Sequence, residues 1–527
     1  MTALLTENLP LLAGAPNGIK KLRELILELA VRGRLLEQNS SGEPASELLE
    51  SIAKEKTLLI ENKTIRNGKP LPDIEQDEMQ FKLPIGWEWV RLGQIGDWGA
   101  GATPARGNSS YYGGEMPWFK SGELVADFIS DSDESVTDLA LKECSLRRNK
   151  PGDVLIAMYG ATIGKTAILS VEGTTNQAVC ACTPFNGVFN RYLLLTLKAL
   201  KSNFIGQGAG GAQPNISREK IVATVTGLPP LAEQHRIVAK VDELMALCDS
   251  LEAQQADAES THTQLVQALL DSLTQTSDAT EFATNWQRLA EHFHTLFTTE
   301  PSIDALKQTF LCLAADGRLV SSDVPAAHLS LSDVIDGDSL NGSSKKPQDT
   351  PSAVEILRIS AGTGVADFLT DEYEHKWADV TEAEIQKFLL AKDDLLACRF
   401  NGNLHYVGAF SLYCGNRGVP QIFPDKLIRF RADRNKASPH YLKYILNAAP
   451  ARAQIESFCA TTVGNIGISA KNLKTIKLRL PSLEEQSNIV NRLDQLMALC
   501  DQLKTRLTQA RQLNEQLAST LVEQAVA

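Results

Sequence analysis

Two stretches of this 527-residue chain are nearly the same sequence, and that limits its possible folds more than any other feature. Leu228–Leu251 (LPPLAEQHRIVAKVDELMALCDSL) and Leu480–Leu503 (LPSLEEQSNIVNRLDQLMALCDQL) are identical at 15 of 24 positions, at a constant offset of 252. A second pair sits at an offset of 284: Ile19–Leu36 (IKKLRELILELAVRGRLL) and Ile303–Val320 (IDALKQTFLCLAADGRLV) agree at 8 of 18 positions, including the Gly-Arg-Leu ending. A long-period repeat means one architectural unit built twice. The plan is a short helix ending in G-R-L, a variable block, then a long helix opening L-P-x-L-x-E-Q. The offsets differ by 32, so the first half carries extra sequence, placed at Pro44–Met79. Within it PASELLESIAKEKTLL has helical apolar spacing, and NGKPLPDIEQDE reads as a Pro-rich acidic linker.

In the long repeat Ile237, Val241, Leu244, Leu247 and Leu251 step by four, three, three and four, as do Ile489, Leu493, Leu496, Leu499 and Leu503. Each set forms one apolar stripe on a helix. Pro229 and Pro481 stand just before the helices, where a missing N–H costs little. The patterns run towards Leu273 and Val526, some 40 residues each, or roughly 60 Å at 1.5 Å per residue. Two matching stripes predict that the long helices pack antiparallel as an intramolecular coiled coil. Their polar backs and the G-R-L helices are then expected to be free for partner subunits.

The variable blocks match each other weakly. Asp153–Tyr159 (DVLIAMY) parallels Asp394–Phe400 (DLLACRF) as a strand entering a loop, and both blocks close on a Gly-rich loop and Ile-Ser (Ile216-Ser217, Ile468-Ser469). Short strands with Gly and Asn turns plus a few helices predict an α+β class with a pseudo-two-fold internal repeat. The expected domains are an N-terminal helical region, 1–82; a first block, 83–227; a central helical region, 228–329; a second block, 330–479; and a C-terminal helix, 480–527.

The net charge of −12 counts at first sight against nucleic acid, but it is unevenly placed. Residues 86–227 hold 13 basic and 13 acidic side chains and 330–479 hold 19 and 17, whereas 228–329 hold 5 against 15. The acidity describes the connectors, so a DNA-binding face is not excluded. Nine cysteines without a C-x-x-C pair argue against a disulfide scaffold or structural zinc, and a reducing cytoplasm is expected. No apolar run reaches the ~18–20 residues of a membrane helix, and the first residues lack the basic start of a secretory signal.

The chain is poor in catalytic motifs. Gly160-Ala-Thr-Ile-Gly164-Lys165-Thr166 has three residues between its glycines where a phosphate-cradling loop has four, so Lys165 is assigned to a phosphate contact as a point charge. There is no [DNS]-P-P-[YFW] methyltransferase loop, H-E-x-x-H, G-x-S-x-G or G-x-G-x-x-G. No catalytic residues and no metal ligands are expected. What remains is binding, through Arg, Lys, Ser, Asn and aromatic side chains on loops, the groups that reach base edges and phosphates. The candidates in the first block are Arg106, Tyr111, Lys120, Ser121, Tyr159, Thr162, Lys165, Gln213 and Asn215. In the second they are Arg358, Ser360, Arg399, Asn401, Asn403, Lys426, Arg429 and Asn465, with Arg399 and Asn401 suited to guanine and adenine; Trp118, Leu427 and Ile428 are expected in the core.

With these residues in view, the chain resembles the specificity subunit of a type I restriction–modification system. The resemblance rests on the two L-P-x-L-x-E-Q…L-M-A-L-C-D helices, the G-R-L pair, Leu83–Leu92 (LPIGWEWVRL), Gly152-Asp-Val-Leu-Ile156 and the G-x-I-G-I-S469 loop, and it spans essentially the whole length. It implies that the two blocks are target recognition domains, each reading half of a bipartite, asymmetric double-stranded DNA site. The helices would set the spacing and dock two methyltransferase subunits, with motor-nuclease (restriction) subunits added. S-adenosylmethionine, ATP and Mg2+ would belong to those partners and none to this chain. An adaptor binding protein or RNA through its variable blocks is the alternative.

Overall fold

The computed structural model describes residues 11–37, 43–208, 214–276, 278–320, 325–362, 368–369, 375–415, 418–462 and 465–526. The chain forms two units, one of Met1–Asp257 with Arg511–Ala527 and the other of Ala258–Ala510.

Unit 1 opens with helix α1 (Gly18–Val31) and helix α2 (Ala45–Glu61), the latter lying in the extra segment of the first half as its apolar spacing predicts. Ten strands follow: β1 (Glu88–Arg91), β2 (Gly96–Ala100), β3 (Tyr112–Phe119), β4 (Phe128–Ile129), β5 (Ser135–Val136), β6 (Val154–Ala157), β7 (Thr166–Leu169), β8 (Thr174–Thr175), β9 (Val179–Pro184) and β10 (Val225–Leu228). They make a five-stranded sheet in the order β2-β9-β6-β7-β4, a three-stranded sheet β5-β3-β8, and a pair in which β1 and β10 close the block antiparallel. Helix α3 (Asn190–Ala199) packs on the larger sheet, and helix α4 (Leu231–Gln275) leaves from β10.

Every residue of β6 is buried, because both faces of this central strand are covered. The period of two divides them: Val154 and Ile156 join the core built on α1 and α3, whereas Leu155 and Ala157 join a second core with Ala167, Leu169, Val179 and Ala181. The linker after α2 is docked by Arg91, only 4% exposed, which donates to the Pro72 and Asp73 carbonyls and pairs with Glu78 at 2.7 Å.

Unit 2 repeats the plan. Helix α5 (Glu300–Ala315) precedes β11 (Ala327–Ser330), β12 (Leu340–Asn341), β13 (Val354–Leu357), β14 (Phe368–Leu369), β15 (His375–Ala378), β16 (Leu395–Cys398), β17 (Phe400–Asn401), β18 (Phe410–Tyr413), β19 (Gln421–Ile422) and β20 (Leu427–Phe430). After helix α6 (Pro439–Leu446) come β21 (Ala460–Thr462), β22 (Asn465–Gly467), β23 (Lys477–Leu480) and helix α7 (Leu483–Val526). The sheets run β12-β20-β16-β18-β14 and β15-β13-β19, with β11 paired to β23. Element for element this is the order found in unit 1, although the two blocks share little sequence. Unit 2 adds a small sheet, β17-β22-β21; the corresponding place in unit 1 holds a single bridge between Tyr159 and Asn215.

The long helices are rooted identically. The glutamine of L-P-x-L-x-E-Q is fully buried in both repeats. Gln234 accepts from the Phe189 N–H (2.7 Å) and donates to the Gly187 and Pro229 carbonyls; Gln486 accepts from the Ser438 N–H (2.8 Å) and donates to the Lys436 and Pro481 carbonyls. One amide thus ties the long helix to the segment leading into α3 or α6.

Two expectations are corrected here. The G-R-L helices are not free: Ile19, Leu22, Leu25, Ile26 and Leu29 of α1, and Ile303, Leu306 and Phe310 of α5, are buried in the two cores. Arg23 of α1 bonds Asp249 (2.7 Å) and Glu252 (2.9 Å) of α4, and their repeat equivalents Lys307 and Asp501 pair likewise in unit 2. Nor does the stripe run through Leu247 and Leu499, which are 53% and 54% exposed; Cys248 and Cys500, 1% and 2% exposed, take their place. At about 100° per residue the buried face set by Ile237, Val241 and Leu244 is continued by position 248, while 247 points some 80° aside. Ile237, Val241, Leu244, Ile489 and Leu493 are buried as expected, and Leu251, Leu496 and Leu503 partly so. Unit 1 joins Val241 and Leu244 of α4 to Ala518 and Ala525 of α7, and unit 2 joins Val266, Leu270 and Leu273 of α4 to Ile489 and Leu493 of α7.

Replacing Gln486 by Ala takes the partner from the buried Pro481 carbonyl, at about 1–3 kcal/mol, and from the part-buried Ser438 N–H and Lys436 carbonyl, at less, and it leaves the space of the buried amide empty. We expect Gln486→Ala to lower stability by about 3 kcal/mol in thermal or urea unfolding, and an unchanged midpoint would contradict the anchoring role.

Candidate nucleic-acid interface

In unit 1 the predicted residues fall into two groups. The first surrounds β3. The Asn108 carboxamide accepts from the Ser110 N–H and starts the turn that carries Tyr111, whose hydroxyl donates to Glu143 (2.9 Å). That carboxylate raises the Tyr111 hydroxyl above its ordinary pKa and keeps it protonated. The Arg106 guanidinium lies over the Tyr112 and Trp118 rings, 4.9 and 4.8 Å from their centroids, and pairs with Glu134. Lys120 reaches the same carboxylate at 3.0 Å, and Ser121 opens the turn that follows. Trp118 itself is core, as expected. Arg106 first, and Lys120 with it, hold the Glu134 carboxyl down at about 2. Two cations are thereby fixed on one carboxylate and one aromatic surface, with half of Arg106 still exposed.

The second group follows β6. Gly160–Thr162 form a short turn and Lys165 leads into β7. A strand follows where a phosphate-binding loop would need a helix, so the truncated glycine motif is a strand connection. The Thr162 hydroxyl donates to the Tyr159 carbonyl (2.7 Å), and Tyr159 pairs with Asn215 across the bridge. Tyr159, Thr162, Lys165 and Asn215 are therefore brought together; Gln213 lies outside the described residues.

In unit 2 Arg399, Phe400 and Lys426 form a stack, with the guanidinium 4.7 Å and the ammonium 5.2 Å from the ring centroid. Asn401 and Asn403 shape the adjoining turn, their side-chain oxygens accepting from the Asn403 and His405 N–H groups. Those carboxamide oxygens are engaged with backbone. Arg358 and Ser360 are exposed just beyond β13, and Asn465 lies in β22 opposite Thr462. Arg429 is placed otherwise than a base contact requires. Its guanidinium is 11% exposed, donates to the Leu389 carbonyl (2.7 Å) and faces Phe423, and burial lowers its pKa. Leu427 and Ile428 are core.

Sequence reasoning missed two contributors, Glu134 and Phe400. The alignment of Asp153–Tyr159 on Asp394–Phe400 contained the signal for the second, since it sets Phe400 opposite Tyr159. Nothing local marks Glu134 among the acidic residues around it. Among the described residues no group of three or more His, Cys, Asp and Glu side chains could hold a metal, and no helix is long and apolar enough to cross a membrane. The surface offers donors, cations and aromatic faces on turns fixed by backbone bonds, the side-chain set for nucleic-acid contact.

A doubled α+β block carried on repeated helices defines a class, and comparison gives it a family. The chain belongs to the family of the type I restriction modification DNA specificity domain, which matches it twice, over residues 84–259 and 344–511. The EcoEI and EcoAI type I restriction enzyme specificity subunits of Escherichia coli are each 31% identical to it, over 97% of this chain and 94% of theirs. A solved structure from work on assembly and conformational transition of the type I R-M system superposes with a TM-score of 0.51 at 18% identity, covering 85% of this chain and 99% of the other.

The Glu134 cluster has a defined pH response. Because its carboxyl titrates lower in the folded chain than unfolded, the stabilisation is complete above the ordinary value of 4.5 and is lost as pH falls towards about 2. Carboxyl-carbon NMR is expected to show Glu134 still ionised at pH 3.5, and a midpoint near 4.5 would mean that Arg106 and Lys120 do not hold it in solution.

Proposed function

We infer that this chain is the DNA sequence-recognition subunit of a type I restriction–modification complex and is itself non-catalytic. The observation that carries the reading is the doubled block: one strand order, built twice, presenting different side chains from equivalent loops. Residues 83–227 and 330–479 are the two target recognition domains, each reading one half of a bipartite, asymmetric DNA site. A homodimeric reader meets the same half-site twice, whereas a single chain with two unlike blocks reads two different ones while offering near-equivalent docking faces. The partners are double-stranded DNA, two methyltransferase subunits and restriction subunits. They would supply adenine-N6 methylation and ATP-dependent cleavage, with S-adenosylmethionine, ATP and Mg2+. The basic and acidic side chains of both blocks nearly balance, which predicts modest affinity for DNA until partner subunits add positive surface.

Mapping N6-methyladenine across the host genome, with this gene intact and deleted, tests the assignment. Deletion should erase one bipartite, asymmetric motif, and an unchanged map would instead favour the adaptor reading. The docking faces have their own test in Leu247 and Leu499, equivalent positions half-exposed on equivalent helices. Substituting either by Glu should change stability by less than about 0.5 kcal/mol. Each single variant should reduce the purified complex from two methyltransferase copies to one, read by native mass spectrometry; two retained copies in both would remove these leucines from the interface.

A further inference from the structure

The chain leaving the central strand is held by the same backbone bonds in both units. In unit 1 the Met158 N–H donates to the Ala178 carbonyl (2.8 Å), the Met158 carbonyl accepts from Ile216 (2.9 Å), and the Ala157 carbonyl accepts from Gly164 (3.0 Å). In unit 2 the Arg399 N–H donates to the Lys426 carbonyl (2.7 Å), the Arg399 carbonyl accepts from Ile468 (3.0 Å), and the Cys398 carbonyl accepts from Gly408 (2.7 Å). Gly164 and Gly408 share a left-handed backbone, with φ of 76° and 71°. Four points of the chain therefore meet at one junction in each unit: the exit of the central strand, the glycine turn at Gly164 or Gly408, Ala178 or Lys426, and Ile216 or Ile468. This register makes Met158 equivalent to Arg399, Tyr159 to Phe400 and Ala178 to Lys426.

The junction is common to both units and its side chains are not. In unit 1 Met158 and Ala178 are buried and Tyr159 is 41% exposed. In unit 2 Phe400 is withdrawn against the bare backbone of Gly467, where an added Cβ would come within 2.4 Å of the ring. Arg399 and Lys426 are stacked on that ring. A cation on an aromatic face is attracted by the ring quadrupole and loses rotamer freedom before any ligand arrives.

We propose that this junction is the specificity-determining point of both recognition blocks. In unit 2 Phe400 is a positioning residue that holds Arg399 and Lys426 towards one DNA half-site. In unit 1 the Tyr159 side chain itself meets the other. The proposal rests on the DNA-recognition reading above. At this junction the two blocks are physically unlike: two cations stand at the second, so that contact responds to salt, and an uncharged ring stands at the first.

The test uses the chain assembled with its methyltransferase subunits, read by the methylation map and by DNA retention against salt. Phe400→Leu keeps an apolar side chain and removes the π face. It should relax the second half-site by ~10-fold or more in discrimination, leave the first intact, and be rescued by Phe400→Trp. Lys426→Gln, a surface change, should lower the slope of log affinity on log salt by about one, whereas Tyr159→Ala should leave that slope unchanged while relaxing the first half-site. An unaltered motif with Phe400→Leu, equal relaxation of both halves, or an unchanged slope with Lys426→Gln overturns the proposal while the wild-type bipartite motif still stands. Absence of any such motif in the wild type overturns the functional reading beneath it, and the proposal falls with it.

Discussion

A single buried amide at the foot of each long helix sets where everything else in its unit can go. Gln234 and Gln486, themselves fully buried, each satisfy one N–H and two carbonyls, and each bond ends on a different segment: the helix start, the loop before the sheet-packing helix, and that helix's own entry. An apolar side chain of equal volume would fill the space without choosing an orientation. The amide chooses one, because its donors and acceptor cannot be exchanged without orphaning a partner. The α+β block is thus locked to the long helix in one pose. The pairs Arg23–Asp249 and Lys307–Asp501 then fix the register of the short helix on the long one.

The amount legible in the sequence followed the range of the physics involved. The repeats, the helices and the α2 insertion were readable because periodicity and self-similarity are local signals. The misassigned stripe positions, Leu247 and Leu499, came from reading hydrophobicity ahead of angle: a seven-residue step selects Cys248 and Cys500, which look less apolar and sit more centrally. The G-R-L helices were expected to be free because nothing local names their partner, and they proved to be the inner layer of each core. Among binding residues, Arg429 looked like any loop cation. Its burial depends on Leu389 and Phe423, about 40 and 6 residues away, and no spacing rule reports that.

The two blocks show which parts of such a fold are free to change. Strand order, the closing β1–β10 and β11–β23 pairs, and the left-handed glycines Gly164 and Gly408 recur. The residues between them recur hardly at all. Backbone bonds carry the architecture, so side chains at the loop tips can differ without loss of the frame. Arg106 resting on Tyr112 and Trp118, and Arg399 resting on Phe400, are two unrelated solutions to holding a guanidinium still on a turn.

The share of α7 in the core of unit 1 bears on biosynthesis. Unit 1 takes Ala518 and Ala525 into a core otherwise made from residues before 258, so some 250 residues separate the bulk of that core from the pieces that close it. At ~5–20 residues per second a ribosome needs on the order of tens of seconds to bridge that gap. During this interval the core that holds Val241, Leu244 and the buried face of α1 lacks the part that the end of α7 contributes. A chain ending between the halves would therefore carry this core without the Ala518 and Ala525 contribution.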